Sequence, residues 1–109
     1  MKTIYNITFV IDPEEENTFL VWVRSSLLAD LFNPESPAKN ATLRKVIEAG
    51  GEVPAEDHGT SIALSAEFDF EDDARRWHDI FLAPALGRFS EKFGNRGAFF
   101  VTLLESLPL

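Results

Sequence analysis

Twice along the chain, a stretch with apolar residues at every second position runs through a cluster of acids into a stretch where they recur every three or four. Strand side chains have a period of two and helix side chains one near 3.6, so each passage predicts a β-strand leading directly into a helix. In the first passage Tyr5, Ile7, Phe9 and Ile11 share one side of residues 3–11, and Ile4, Asn6, Thr8 and Val10 the other. Asp12-Pro13 reads as an N-cap with proline at the first helical position, and Glu14, Glu15 and Glu16 suit the positive end of the helix dipole. Phe19 or Leu20, Val23, Leu27 and Leu31 follow at helical spacing until Asn33-Pro34 and Pro37 end the pattern.

In the second passage Ile62, Leu64, Ala66, Phe68 and Phe70 alternate with Ser61, Ala63, Ser65, Glu67 and Asp69. Glu71-Asp72-Asp73 again gathers acid, and Ala74, Trp77, Phe81, Ala85, Phe89 and Phe93 form an apolar stripe up to Gly94-Asn95. Pro84 inside the stripe removes a hydrogen bond and predicts an interruption near residues 82–85, with Trp77 and Phe81 buried before it and Phe89 and Phe93 after. Residues 42–48 are read as a short strand, although propensity alone also allows a helix, and Gly50-Gly51 breaks it. Residues 98–105 make the last strand, apolar on both faces.

A chain of 109 residues holds one core and is too short for two. The order β-α-β-β-α-β therefore predicts a single ferredoxin-like α+β domain over residues 1–109, a four-stranded antiparallel sheet with both helices on one face. Hydrophobic residues make up 45% of the chain, with ten Phe and two Trp, which is ample core material. Acidic side chains outnumber basic ones 18 to 10, a net charge of −8 that repels a phosphate backbone and argues against nucleic acid or anionic lipid as partner. The absence of cysteine excludes disulfides, thiolate catalysis and Cys-ligated metals. Asn6 and Thr8 interrupt the apolar run a signal peptide needs, and no run approaches the roughly 20 apolar residues of a membrane-spanning helix. A cytoplasmic location is expected.

No catalytic signature emerges. His58 lies in a Gly-flanked acidic connection and His78 one residue from the stripe of the second helix; neither has a second ligand at metal-binding spacing. Glu14-Glu15-Glu16 and Glu71-Asp72-Asp73 could in principle hold a divalent cation, but acid in the first helical turn is explained by the dipole, and no calcium-binding loop pattern is present. Neither a phosphate-binding glycine loop nor a G-x-S-x-G elbow occurs. The expectation is no metal and no cofactor. Strand alternation does gather a polar set on the sheet face opposite the helices: Asn6, Thr8, Arg44, Ser61, Ser65, Glu67 and Thr102. With His78 these are the candidates for a small, half-apolar ligand pocket, though on the same face they would equally suit a wet dimer interface. Ile4, Val10, Val46, Phe100 and Leu104 share that face and predict a homodimer that hides them.

Ala83-Pro84-Ala85-Leu86, Phe89, Lys92-Phe93-Gly94 and the close Phe99 to Glu105 resemble the end of the family called domain of unknown function 4286. Ile4-Tyr5-Asn6-Ile7-Thr8 and Phe19-Leu20-Val21-Trp22-Val23 extend the resemblance almost end to end. It implies the dimeric α+β barrel plan, in which two ferredoxin-like sheets pack face to face, a superfamily that includes cofactor-independent monooxygenases and isomerases. The resemblance also implies a His near Leu27 and another at Leu82, and this chain has leucine at both.

Two readings of function follow. The first is a homodimer that binds a small molecule between sheet and helices or has no catalytic role. The second is a cofactor-independent enzyme, whose base would come from Glu67 or His78 with Asn6 as a polariser. A partner-binding role for the acidic connection over residues 52–57 is weaker than plain solvation, since short charged loops are ordinary.

Overall fold

The computed structural model describes residues 2–47 and 59–109. Four strands, β1 (Thr3–Ile11), β2 (Lys39–Lys45), β3 (Thr60–Phe68) and β4 (Gly97–Glu105), form one sheet in the order β2-β3-β1-β4, antiparallel throughout. A first helix, residues 13–31, joins β1 to β2, and a second, residues 71–93, joins β3 to β4. This is the ferredoxin-like arrangement. Both helices cover the face that carries Tyr5, Ile7, Phe9 and Ile11 of β1 and Ile62, Leu64, Ala66 and Phe68 of β3, all buried.

β2 departs from the expected 42–48. It begins at Lys39, and Lys39 pairs with Glu67 while Thr42 pairs with Ser65, so the strand holds one residue more than its partner over that interval. The backbone turns left-handed inside this bulge, at Asn40 with φ 52°, a conformation asparagine tolerates. The strand ends at Lys45, with one further bond from the Val46 amide to the Ser61 carbonyl; Glu48 lies outside the described residues. Asp12 is a second departure: its side chain makes no cap, and its carbonyl instead accepts from the Glu15 amide in a tight 3-10 turn.

Each helix contains one wide turn. In the first, Val23–Leu27 is π-helical and the Leu28 amide bonds the Val23 carbonyl; Phe19, Val23, Leu27 and Leu31 are all fully buried. Three successive steps of four residues would drift around an ideal helix, and the inserted residue cancels that drift. In the second helix the wide turn is His78–Leu82, closed by the Ala83 amide on the His78 carbonyl, immediately before Pro84. Proline has no amide to offer the Ile80 carbonyl and its ring crowds that carbonyl, so a widened turn is the local solution. The interruption shifts the buried stripe from Trp77 to Leu82, five residues on. Phe81, expected in the core, is only half-buried, because the inserted residue rotates it off the stripe; Ala85, Leu86, Phe89 and Phe93 continue it.

Candidate functional site

On the sheet face away from the helices, Asn6 and Thr8 of β1 lie beside Ser61, Ser65 and Glu67 of β3, with Arg44 of β2 and Thr102 of β4 on the flanking strands. Asn6, Thr8 and Ser65 hydrogen-bond one another, and Arg44 and Glu67 bond neighbours outside the set. Ser65 Oγ donates to Asn6 Oδ1 (2.7 Å), Asn6 Nδ2 donates to Thr8 Oγ1 (3.1 Å) and Arg44 Nη1 to Thr42 Oγ1 (2.9 Å). Glu67 accepts from Asn40 Nδ2 (2.6 Å) and pairs with Lys2 at 3.5 Å, and the Asn40 bond, with Lys2 in support, holds its carboxyl below the usual range. A carboxylate so held is a poor general base. Ile4, Val10, Val46, Phe100 and Leu104 lie on the same face, with Phe100 opposite Thr8 and Leu104 opposite Ile4 in register. Phe100 is 56% exposed and Leu104 47%.

His78 is not among them. The second helix carries it on the other side of the sheet, where a cleft of about 470 Å³ is lined by Tyr5, Arg75, His78, Asp79, Val101 and Leu103. The cleft exists because β4 is an edge strand. Its helix-side residues Phe99 and Val101 remain partly exposed, whereas those of β1 and β3 are buried under the helices. Grouping His78 with the seven sheet residues as one pocket is thus corrected by topology: the sheet itself separates them.

Within the cleft the Tyr5 hydroxyl is hydrogen-bonded to His78 Nδ1, and the two rings stack at 5.7 Å and 27°. Trp77, whose indole N–H donates to the Leu31 carbonyl (3.0 Å), packs edge-on against Tyr5 at 5.4 Å and fixes its ring. Burial, and then the negative charge of Asp79, push the phenol above its ordinary pKa, against a smaller opposing effect of Arg75. Where the protonated phenol donates to Nδ1, the imidazole carries its proton on Nε2, and the phenol oxygen keeps lone pairs for a guest. The wide turn that carries His78 is of a kind frequent at functional sites. Sequence patterns pointed to His78 but not to Tyr5, Arg75, Asp79, Val101 or Leu103. The available signal was a lone polar-tipped ring on an otherwise apolar strand face.

Four of the six acids in the two runs pair with cations. Glu71 pairs with Arg75 (2.8 Å), Asp73 with Arg76 (2.5 Å), Glu16 with Lys45 (2.7 Å), and Glu15 with Arg96. Among the described residues no three His, Asp or Glu side chains converge as metal ligands, and no helix is long and apolar enough to cross a membrane. His58 and the acidic connection over residues 52–57 lie outside the described residues. Leu27 and Leu82, where the resemblance implies histidines, are fully buried core residues.

The profile of the domain of unknown function DUF4286 matches residues 2–107. The chain belongs to this family. No curated protein matches it. Among solved structures it is similar to an ethyl tert-butyl ether (EthD) family protein from Bacillus halodurans, with TM-score 0.65, 13% identity, and 96% of this chain and 99% of that one covered. Rv0793 of Mycobacterium tuberculosis gives TM-score 0.64 at 12% identity, covering 100% and 98%. A variant of SnoaB, a cofactor-independent oxygenase from Streptomyces nogalater, gives 0.58 at 16%, covering 99% and 95%. At such identities the DUF4286 chain shares their ferredoxin-like α+β fold, and the likeness goes no further.

Proposed function

We propose that this DUF4286 chain is a single-domain, cytoplasmic homodimer whose two sheets face each other and which binds a small, half-apolar molecule in the cleft between sheet edge and second helix. The cleft carries the reading: apolar walls from Val101 and Leu103 meet a few convergent polar groups on Tyr5, His78, Arg75 and Asp79, at a volume within the range usual for small-molecule sites. The open-face residues Asn6, Thr8, Arg44, Ser61, Ser65, Glu67 and Thr102 serve as the polar part of the dimer interface, since five of the seven already have hydrogen-bond partners within their own chain. In this reading Ile4, Val10, Val46, Phe100 and Leu104 are its apolar part.

A second reading is a cofactor-independent enzyme of monooxygenase or isomerase type. It is favoured by the Tyr5–His78 hydrogen bond, which supplies a proton donor and an acceptor side by side in the cleft. Glu67 is no longer its base, being on the opposite face. A fragment screen followed by the ring signals of His78 and Tyr5 tests the ligand reading. Binders should move both signals, and Tyr5→Phe should weaken them by several fold; a screen in which no fragment moves either signal would reject a cleft ligand.

A further inference from the structure

Charge along the cleft and the groove that continues it is unevenly balanced. The adjoining groove shares Arg75 and Leu103 with the cleft and brings Asp69, Glu71 and Glu105 to its rim. Arg75 is occupied by Glu71 at 2.8 Å, and Asp69 by Lys39 at 2.7 Å. Asp79 and Glu105 make no ion pair among the described residues. Arg75, the cation of the cleft, is thus engaged, while the Asp79 carboxylate beside Tyr5 is left without a counter-ion among the described residues. A guest beside Tyr5 therefore meets an unpaired carboxylate, an acceptor oxygen and apolar walls.

We propose that the cleft is selective for an apolar organic ammonium, held between the Asp79 carboxylate and the Tyr5 oxygen with its hydrocarbon part on Val101 and Leu103, and that Asp79 is the specificity-determining residue. A cation gains from the carboxylate and replaces water on it, a neutral isostere keeps only the apolar contact and a hydrogen bond, and a carboxylate is repelled. Asp79 is exposed, so the gain is modest and screened by salt.

This inference rests on the cleft being the ligand site, and the test separates the two. Naphthylmethylamine, naphthylmethanol and naphthoate present one ring with a cation, a neutral group or an anion. They are titrated into the intact protein at low ionic strength while the Tyr5 and His78 ring signals are followed. The amine should bind about fivefold more tightly than the alcohol, and the carboxylate more weakly than either. Asp79→Asn should bring amine and alcohol level, and added salt should narrow the gap in the unaltered protein, which needs no variant at all. If the carboxylate binds as well as the amine, or if both Asp79→Asn and salt leave the amine unchanged, the ammonium assignment is overturned and the ligand cleft stands. If none of the three moves either signal, both fall.

Discussion

Tyr5 shows how much one residue's surroundings decide. On the strand pattern it is one more inward residue beside Ile7, Phe9 and Ile11, yet it ends in a hydroxyl that a dry core would leave unpaired. The partner is His78, 73 positions away, and no local pattern carries that distance. His78 was recognisable in the sequence as an unexplained titratable residue; its partner was not. Burial and Asp79 raise the Tyr5 pKa, so the folded state holds the phenolic proton more tightly than the unfolded chain does. The stability this contributes is complete below a pH of about 10 and is lost as pH rises through the higher folded value. Tyr5 is the only tyrosine, so tyrosinate absorbance titrates it alone. The folded midpoint should lie above that of the denatured chain, and Tyr5→Phe should lose stability less steeply on the alkaline side. A folded midpoint equal to the denatured one would mean the phenol is in water and the cleft is not as described.

At the level of elements, strand and helix order was legible because β1, β3 and both apolar stripes keep their periods over several turns or pleats. What escaped was phase. Pro84 announces a break, but whether the helix answers by bending, ending or inserting a residue depends on which choice lets Trp77 before it and Phe89 after it reach the same core. The widened turn does this by moving Leu82 inward and Phe81 outward. β2 was misplaced for a related reason: its outward residues are polar and its bulge at Asn40 breaks alternation, so neither end has a periodic signal. The phase shift has a measurable consequence. Leu82→Ala should cost roughly 2–5 kcal/mol in urea unfolding, as a truncation in a closed core does. Phe81→Ala removes a larger side chain but from a half-buried position, and should cost less than Leu82→Ala. The reverse order would restore an uninterrupted helical stripe.

For the whole molecule, the decisive fact is that two helices cover one face of a four-stranded sheet and leave the other open. The open face was legible as a face, since alternation alone assigns Ile4, Val10, Phe100 and Leu104 to it; the cleft was not, because it depends on how far the second helix reaches over β4. Leu104 adjoins Ile4 and Phe100 adjoins Thr8 across the β1–β4 ladder, with the Asn6–Thr102 pair between them, so the apolar side chains flank a polar centre in one half-apolar area. Such an area on a small domain marks an interface, and pairing the same patch about a two-fold axis is the commonest way identical chains cover one. Asn6, Thr8 and Ser65 beside it already hydrogen-bond one another, so bringing two such faces together leaves these three partnered. Phe100→Glu would place two unpaired carboxylates, one from each copy, in that dry contact, and their desolvation is not repaid by any partner. Sedimentation at micromolar concentration should show a dimer for the unaltered chain and a monomer, folded or not, for Phe100→Glu, while Ser90→Glu on the exposed side of the second helix leaves the dimer intact. An unaltered chain that sediments as a monomer, or a dimer that survives Phe100→Glu, would mean that the sheets do not meet and that this face is covered by something else.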